Sequence, residues 1–584
     1  MYHFSVWAPR RKAVCVEVNG IRHTMESKQH GWWQVDVDNA QHGSDYLFYL
    51  DDDPQGYPDP RSAWQPYDVH GSSRVFDHGR FAWSDQGFLP VALADGVIYE
   101  LHIGTFTSQG TFAAAEERLA SLRDLGITHV ELMPLNSFPG RFGWGYDGVA
   151  LYAPQELYGG PEALQHFVNA CHTHQLAVVL DVVYNHFGPV GNYTGKFGPY
   201  ITESHHTPWG GAVNLEEYGS TEVRRFFCDN ALMWLRDFHF DGLRLDAIQT
   251  YIDRSATHLL EQLSEEVEEL SKQLNRRLFL IAESDLNDPR VVTPRKAADG
   301  SDRFGYGIDA QWSDDFHHSL FAYLTGQRHT YYRDFGSLAQ LAKSVSSVFV
   351  YDGLYAENRG RIHGRPVHDI DRNRFLGYVQ NHDQIGNQAF GDRLYALVGM
   401  RKSMVGAAMV LTAPFIPMLF QGEEFAASSP FLYFAQHDDP VIAQSVSDGR
   451  RMEHAHEGDA NSIPDPEAQS TYESSKLRWE EREEADHGEM LAWYRSLIQL
   501  RSSTPSLRDG NPNHLQVRFD EQLQWLVMER GRIHLYFNLG DDAVTLPVPE
   551  GSSIQLAMDS DLTIESGRIK LPGASFAAVA VTDQ

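Results

Sequence analysis

Acidic residues follow three apolar segments of this chain and are the side chains best placed to do chemistry. Asp246 ends "GLRLD", Glu283 ends "LFLIAE" and Asp383 ends "LGYVQNHD". A carboxylate can act as a nucleophile, and a protonated carboxyl group can act as a general acid. Cleavage of a glycosidic bond uses one of each. The three segments therefore predict a carboxylate-based active site, provided that the fold brings them together.

The neighbours of these carboxyl groups predict different protonation states. Arg244 and Asp246 point to the same face of a strand because side chains alternate along it. A nearby cation lowers a carboxyl pKa, so we expect Asp246 to be ionised. Glu283 follows apolar residues and has no basic neighbour in its segment, which would raise its pKa and suit it to the acid role. Asp383, beside His382, could hold sugar hydroxyls. The alternative for Arg244 and Asp246 is a purely structural ion pair.

A barrel of parallel strands would bring these segments together. Residues 96–104, 128–135 and 176–186 are predicted to be buried strands, and 113–125 and 161–175 amphipathic helices. The alternation continues to about residue 500, so the α/β fold class is a (β/α)₈ TIM barrel, assigned to residues 96–507. The carboxyl ends of such strands form the active face. A fourth polar segment, "VVLDVVYNH", would join the others there with Asp181, Asn185 and His186.

Two smaller β domains flank the predicted barrel. Residues 1–95 alternate apolar and polar residues in short runs between turn formers, which is typical of a β-sandwich. Residues 508–584 return to short strands and form a C-terminal β domain. The polar stretch 436–478 is either an exposed linker or a long loop over the active face of the barrel.

The four polar segments resemble the signature regions of the α-amylase family of glycoside hydrolases. The patterns are D-x-x-x-N-H at 181–186, G-x-R-x-D at 242–246, a strand that ends in Glu283, and N-H-D at 381–383. The resemblance implies a retaining mechanism in which Asp246 is the nucleophile and Glu283 the general acid/base. It also implies that Asp383 stabilises the distorted sugar and that Arg244 positions Asp246.

The same resemblance implies further contacts with the substrate. His186 and His382 would bind hydroxyls of the sugar at the cleavage point, and Asn381 belongs to the same motif as His382. Tyr146, in "GWGYDG", would stack on that sugar, although ordinary packing is the alternative. Asn185 matches a calcium ligand of secreted amylases, but no cluster of ligands accompanies it. We therefore expect neither a metal nor a cofactor.

Three longer stretches resemble one group within this family, the maltooligosyltrehalose trehalohydrolases. They are residues 283–290, 381–393 and 447–479, and the N-terminal "FSVWAP" resembles the start of the same enzymes and of branching and debranching enzymes. The group cleaves the α-1,4 bond next to a terminal trehalose unit and releases trehalose. Gln421 departs from the pattern, which has methionine there. The alternatives are a 1,4-α-glucan branching enzyme and a catalytically inactive glucan-binding protein.

Composition restricts the class of partner. Lys and Arg number 48 against 79 Asp and Glu, for a net charge of −31. Such acidity argues against nucleic acid and anionic membranes and suits a neutral ligand. The resemblance implies that this ligand is maltooligosyltrehalose or a related α-glucan. The three cysteines show no metal or disulfide spacing, the N-terminus lacks the pattern of a signal peptide, and no apolar run approaches the roughly 18 residues of a membrane span. We therefore expect a cytoplasmic protein.

Overall fold

A closed barrel of eight parallel strands forms the centre of the molecule. The structure is a computed structural model that describes residues 1–297, 299–455 and 460–581. Each strand pairs with its sequence neighbours, and the last pairs with the first. The TIM-barrel prediction is confirmed. The strands are β1 (Ile98–Leu101), β2 (His129–Leu132), β3 (Ala177–Val182), β4 (Gly242–Leu245), β5 (Phe279–Ala282), β6 (Ala310–Trp312), β7 (Phe375–Gly377) and β8 (Ile416–Phe420).

The alternation of residues along β4 shows how the barrel positions its polar side chains. Leu243 and Leu245 are fully buried in the main apolar cluster, which also contains the apolar faces of the surrounding helices. Arg244 points the other way, into the barrel, where it meets Asp181 of β3. Gly242 lies against the ring of Phe279, so closely that an added Cβ would come within 2.2 Å of a ring carbon. The strand therefore needs glycine at this point.

Helices surround the barrel in the expected alternation, with two differences. The predicted helix 113–125 is two short helices, Phe112–Glu116 and Leu119–Leu125. Between β5 and β6 the described residues contain no helix, and this connection is rich in Pro, Gly and charged residues. The other α-helices of the described residues are Ile103–Phe106, Gly160–Thr173, Thr194–Phe197, Ser220–Asp237, Leu259–Leu274, Asp314–Thr325, Leu338–Ser347, His382–Gly386, Leu394–Thr412, Pro440–Glu453, Gln469–Ser474 and Ala485–Ser503.

One helix, Leu394–Thr412, is long and apolar enough to cross a membrane by length and composition alone. It carries Arg401 and Lys402 in its middle, where Arg401 pairs with Asp559. The helix also packs against two neighbouring helices of the ring, and its second half is buried. Its apolar character is that of a core helix in the barrel wall.

A domain of two β-sheets precedes the barrel in the sequence, and another follows it. The N-terminal one has a sheet of Tyr2–Trp7, Trp32–Val37 and Glu26–Ser27, and a second sheet of Ile21–Thr24, Val14–Val18, Asp45–Leu50, Gly56–Tyr57 and Ser73–Arg74. The C-terminal one has a sheet of Leu515–Asp520, Trp525–Arg530, Ile533–Asn538, Ser575–Ala580 and Ser553–Ala557, and a second sheet of Val544–Pro547, Arg568–Leu571 and Ile564–Glu565. The limits assigned at residues 95 and 507 stay predictions.

A buried histidine ties the chain that leads into β1 to the barrel wall. His172 lies between two carboxylates, with Nδ1 at 2.9 Å from Asp85 and Nε2 at 3.0 Å from Asp241. His239 contacts the same oxygen of Asp85 at 2.8 Å. Both ring nitrogens of His172 face acceptors, and the two carboxylates raise its pKa against the opposing effect of burial. The cluster is therefore an ion pair that holds the connection between the domains.

The polar stretch 436–478 packs over the barrel, as the second interpretation of the sequence predicted. Arg450 donates to the backbone oxygens of Gly386 and Gln388, at 2.6 and 2.7 Å, directly after the N-H-D motif. Tyr472 donates to the backbone oxygen of Gly104 at 2.7 Å. Residues 456–459 of this stretch lie outside the described residues. The segment thus covers the carboxyl ends of β1 and β7.

Candidate active site

The carboxyl ends of the strands enclose a cavity of about 420 Å³. Seven of the eight residues selected from the sequence line it, namely Tyr146, His186, Arg244, Asp246, Glu283, His382 and Asp383. The remaining wall is largely aromatic, with Trp144, Trp209, Tyr433 and Phe434. A larger cavity of about 540 Å³ adjoins helix Leu259–Leu274. Its charged side chains largely pair with one another, as Arg295 and Lys272 do with Glu268, so the candidate site is the smaller cavity.

Arg244 is the centre of the site. Its Nη1 contacts Asp246 Oδ1 and Asp181 Oδ2, each at 2.7 Å, and its Nη2 contacts Glu283 Oε2 at 3.0 Å. The side chain is 1% exposed, and the guanidinium lies over the ring of Trp312 at 4.2 Å. A buried cation is costly unless it is paired and hydrogen-bonded. Contacts with three carboxyl groups offset that cost and hold the two proposed catalytic groups on one rigid fork.

Asp246 follows β4 directly and is held from two sides. Asn185 donates to its Oδ2 at 2.9 Å, while Arg244 donates to its Oδ1. Burial nevertheless raises the pKa of Asp246, because it outweighs the opposing effect of Arg244, and the nearby Asp181 raises it further. The sequence predicted a lowered pKa. The difference arises because burial is the largest effect on Asp246, and because the one cation that opposes it is shared among three carboxyl groups.

Glu283 follows β5 and is partly exposed to the cavity. Its Oε2 accepts from the backbone N–H of Ala247 at 2.7 Å, and Arg244 contacts the same oxygen. Burial raises the pKa of Glu283, and the charge of Asp246 adds to the effect. Both carboxyl groups contact the guanidinium of Arg244, and an interaction with Glu283 lowers the pKa of Asp246. A proton shared by the pair therefore belongs on Glu283 and the charge on Asp246.

The backbone after β4 is arranged for this contact. Ala247 has φ 42° and ψ 49°, a left-handed conformation that residues other than glycine rarely adopt. The turn aims its N–H at Glu283 and thereby joins the ends of β4 and β5. Strain of this kind is concentrated at functional sites.

Tyr146 and His382 form the next layer of the cavity. The Tyr146 hydroxyl donates to Asp181 Oδ2 at 2.6 Å and lies 2.7 Å from His382 Nε2. The two rings stack with centroids 5.2 Å apart. The other ring nitrogen of His382, Nδ1, is 2.5 Å from Glu100 Oε1. Tyr146 thus presents a fixed ring to the cavity, the arrangement that a stacking residue needs.

His186 and Trp209 form one wall of the cavity mouth. Their rings are stacked at 4.7 Å with an interplanar angle of 11°, and Trp209 is 48% exposed. His186 Nδ1 lies 2.9 Å from Asn185 Oδ1, and burial lowers the pKa of His186 to about 4. The ring is therefore neutral at physiological pH and can accept or donate a hydrogen bond to a neutral ligand.

The N-H-D motif divides between the cavity and the helix that follows it. Asp383 faces the cavity and accepts from Asn387 at 2.6 Å, and burial raises its pKa. Asn381 is the N-cap of helix His382–Gly386, where its side-chain oxygen accepts from the backbone N–H of Gln384 at 2.7 Å. Asn381 is 1% exposed and does not line the cavity. It positions the motif, and its predicted contact with the substrate stays a prediction.

Several groups of the site were not selected from the sequence. Glu100 interrupts the apolar strand β1, and a charged residue in such a strand was the signal that could have identified it. Trp209 lies on the hairpin Ile201–Val213, which sequence periodicity does not connect with the barrel. Gln421, at the departure from the methionine pattern, is fully buried; its side chain accepts from the backbone N–H of His102 and donates to Thr105.

The part of the chain that the structure describes contains no group of three or more His, Cys, Asp or Glu residues that could hold a metal ion. Asn185, which matches a calcium ligand of secreted amylases, instead bridges Asp246 and His186. These contacts engage both polar atoms of its side chain in the catalytic layer. The absence of a metal from the reaction stays a prediction.

This chain matches two family models and several named proteins. Residues 78–204 match the family described as the alpha amylase catalytic domain, and residues 513–577 match a domain of unknown function, DUF3459. The chain is 45% identical to the malto-oligosyltrehalose trehalohydrolase of Mycobacterium tuberculosis over 96% of both chains. It is 47% identical to that of Arthrobacter ramosus over 86% of this chain and 87% of the relative.

Solved structures agree with this comparison. A Salmonella typhimurium protein assigned provisionally to the alpha amylases is 34% identical and superposes with a TM-score of 0.90, covering 99% of this chain and 97% of its own. A pullulanase from Paenibacillus barengoltzii, solved with maltohexaose and alpha-cyclodextrin, is 19% identical with a TM-score of 0.73, covering 100% of this chain and 94% of its own, and shows the shared fold alone. The strand-end carboxyl groups, the closed barrel and the near full-length identity together place this chain in the malto-oligosyltrehalose trehalohydrolase family, within the alpha amylases.

Proposed function

We propose that this chain hydrolyses the α-1,4 bond next to the terminal trehalose unit of maltooligosyltrehalose, releasing trehalose and a maltooligosaccharide. The observation that carries the chemistry is the Arg244 fork, which holds Asp246 and Glu283 within reach of one another. Carboxyl groups that share one guanidinium fit the separation of roughly 5–5.5 Å in a retaining enzyme better than the roughly 6.5–9.5 Å at which an inverting enzyme accommodates a water. The site therefore supports hydrolysis with retention at the anomeric carbon.

Each step follows from the protonation states of the pair. Glu283 gives its proton to the oxygen of the scissile bond while ionised Asp246 attacks the anomeric carbon, so trehalose leaves and a glycosyl–Asp246 ester forms. Glu283, now ionised, takes a proton from water as the water attacks the same carbon. The ester bond to Asp246 breaks, and the maltooligosaccharide is released. Both carboxyl groups return to their starting states.

The other groups of the cavity bind and orient the sugar at the cleavage point. Tyr146 offers its ring face, and His186, His382 and Asp383 surround the space where hydroxyls of that sugar would lie. Asp383 carries negative charge when it is ionised, and such charge stabilises the oxocarbenium character of the transition state. The roles of these residues are proposals from geometry and family resemblance.

The substrate is inferred from how much of this chain is similar to relatives of each named activity. Relatives named malto-oligosyltrehalose trehalohydrolase match 96% of this chain at 45% identity. The branching enzyme of a Shewanella species is 30% identical over only 55% of this chain and 48% of its own length. The stretches that follow Glu283 and Asp383, together with 447–479, lie outside the shared carboxylates and are the parts whose sequence resembles trehalohydrolases and not branching enzymes. They support trehalose as the leaving group.

The decisive experiment compares two substrates of equal size. Maltotriosyltrehalose and maltopentaose each contain five glucose units, and only the first ends in trehalose. We expect trehalose and maltotriose from the first, with kcat/KM at least about tenfold above that for maltopentaose, because a site that hydrogen-bonds one leaving group leaves polar groups unpaired with the other. Equal kcat/KM values on the two would contradict the proposed specificity.

A second assay addresses the alternatives. A branching enzyme would transfer the glycosyl group to a 6-hydroxyl and create α-1,6 branches on amylose, which methylation analysis or NMR detects. We expect none. An inactive glucan-binding protein would bind maltotriosyltrehalose without cleaving it, so product formation alone separates that alternative from the proposal.

A further inference from the structure

Glu100, in the interior of the barrel, binds one residue of the active site with both of its carboxylate oxygens. Oε2 accepts from the backbone N–H of His382 at 3.0 Å, and Oε1 lies 2.5 Å from Nδ1 of the same residue. The Glu100 side chain is 1% exposed, so neither oxygen is shared with solvent. A carboxylate that holds both the backbone and the ring of a histidine leaves its Nε2 at a defined position.

The hydrogen-bond directions around His382 determine the charge of its ring. Tyr146 has a single hydroxyl proton and donates it to Asp181 Oδ2, an oxygen that also accepts from Arg244. The Tyr146 oxygen can then only accept from Nε2 of His382, at 2.7 Å. With Nδ1 facing an ionised Glu100 carboxylate, this arrangement of donors and acceptors requires protons on both ring nitrogens, as in an imidazolium.

These contacts form one continuous chain of hydrogen bonds that runs from Glu100 in β1 to Asp246. It passes through His382, Tyr146, Asp181 and Arg244, and its links measure between 2.5 and 2.7 Å. In a low-dielectric interior such a chain is strong only when every member keeps its proton assignment. A change at Glu100 would therefore alter the hydrogen bonds of Arg244 and Asp246, although Glu100 does not line the cavity.

We infer that Glu100 is a positioning residue that holds His382 as a cation beside the catalytic carboxyl groups. The catalytic role of Glu100 rests on the proposed function, whereas the charge of His382 does not. The charge of His382 then strengthens the hydrogen bond that its Nε2 donates to Tyr146, because a charge-assisted hydrogen bond is roughly twice as strong as a neutral one. His382 also provides positive charge next to Glu283 and Asp383.

The charged and titratable groups around His382 support this assignment. Glu100 and Asp383 raise its pKa, burial and Arg244 lower it, and the balance is a pKa above the ordinary value for histidine. In return, the charge of His382 lowers the pKa of Glu283 and of Asp383. The remaining groups that face or interact with it are Tyr146, Asp181 and the buried His102, whose pKa burial lowers to about 3.

The neighbouring strand supplies a matched control. Glu131 of β2 pairs directly with Glu100 across the sheet and is likewise 1% exposed. Within the described residues neither oxygen of Glu131 has a hydrogen-bond partner, and burial raises its pKa far above the ordinary value. Glu131 is therefore a neutral acid, and its replacement by the isosteric neutral glutamine leaves the charge of the barrel interior unchanged.

The experiment compares Glu100→Gln with Glu131→Gln in the full chain. Glutamine at position 100 can still accept from the His382 backbone and donate to a neutral Nδ1, so the contacts survive while the charge of the ring is lost. For Glu100→Gln we expect the alkaline limb of the pH profile of kcat on maltotriosyltrehalose, which reports Glu283, to move up by about one pH unit, because Glu283 loses a nearby cation. We also expect kcat to fall about tenfold as the charge-assisted hydrogen bond from His382 to Tyr146 weakens. Glu131→Gln should keep the wild-type limbs.

A spectroscopic readout keeps the test independent of activity and of the folding of the variant. In ¹⁵N-histidine-labelled wild-type protein at pH 7, without substrate, both ring nitrogens of His382 should show protonated shifts, assigned by their absence in His382→Gln. A neutral His382 between pH 6 and 8 would overturn the inference even if the proposed hydrolysis is correct. So would a folded Glu100→Gln with an unchanged alkaline limb. Failure of the wild-type protein to release trehalose would count against the proposed function alone.

Discussion

Replacement of Arg244 by methionine tests the electrostatic design of the site most directly. Methionine fills a similar volume with an apolar side chain and removes the cation that contacts Asp246, Asp181 and Glu283 at 2.7, 2.7 and 3.0 Å. The carboxyl groups remain buried together without compensation. Each of them should then bind its proton more tightly, because desolvation and mutual repulsion both favour the neutral form.

The size of the effect follows from these distances. A contact of 2.7–3.0 Å between nitrogen and oxygen puts the charge centres about 4 Å apart, which corresponds to about 4 kcal/mol at an effective dielectric constant of about 20. At 1.36 kcal/mol for one pKa unit, this is an upper limit of about 3 units for each carboxyl group. Allowing for relaxation, we expect the acid limb of the pH profile, which reports ionisation of Asp246, to move up by about 2 units.

The assay is the pH dependence of kcat/KM on maltotriosyltrehalose from pH 4 to 10, with Arg244→Lys as the matched control. Lysine keeps the charge but offers a compact ammonium that cannot bridge Asp246 and Glu283 as the planar fork does. Arg244→Lys should therefore keep its acid limb within about half a unit of the wild type and lose mainly kcat. An unchanged acid limb in a folded Arg244→Met protein would refute the role assigned to this arginine.

Three further predictions concern catalysis, stability and metal dependence. Asp246→Asn and Glu283→Gln should each lower kcat by at least about three orders of magnitude with an unchanged thermal midpoint, because neither amide can attack or donate as required; a folded variant that keeps a tenth of wild-type kcat would contradict the assignment. His172→Gln should lose about 3 kcal/mol of unfolding free energy at pH 6, measured by urea denaturation, because it removes the buried cation that Asp85 and Asp241 share and leaves only His239 beside the first and Arg276 beside the second. The folded pKa of His172 is raised, so its contribution is complete below its unfolded pKa and is lost as pH rises through the folded pKa; the difference from the wild type should therefore shrink by pH 9. EDTA should leave kcat unchanged, and a complete loss of activity that added metal restores would contradict the expected metal-free mechanism.

The elements of the barrel and most of the cavity wall were predictable from local sequence. The spacing of Leu243 and Leu245 around Arg244 predicts which face of β4 is buried against helices, and the structure places both leucines there. The polar residues after β3, β4, β5 and β7 were expected to meet because carboxyl ends of parallel strands lie at one end of a barrel. These predictions need only two facts. Side chains alternate between the two faces of a strand, and all strands of the barrel run in the same direction.

The connections between the elements were less predictable. The expected fifth helix is absent from the described residues between Glu283 and Ala310, and the stretch 436–478 could not be assigned as linker or loop. Its position depends on contacts such as that of Arg450 with Gly386, which join residues far apart in the chain. Propensity and periodicity describe neighbours in sequence, and such long-range hydrogen bonds leave no periodic pattern.

The sequence by itself determined which residues carry charge, which faces of the strands are apolar and in what order the strand ends follow one another. Only the tertiary structure decided how that charge is distributed. Closure of the barrel brings Glu100 to His382 and one Arg244 to three carboxyl groups, so the pKa of Asp246 is raised where its local neighbour alone predicted a lowered value. The physical reason is that burial and Coulomb interactions depend on distances in space, whereas the sequence specifies distances along the chain.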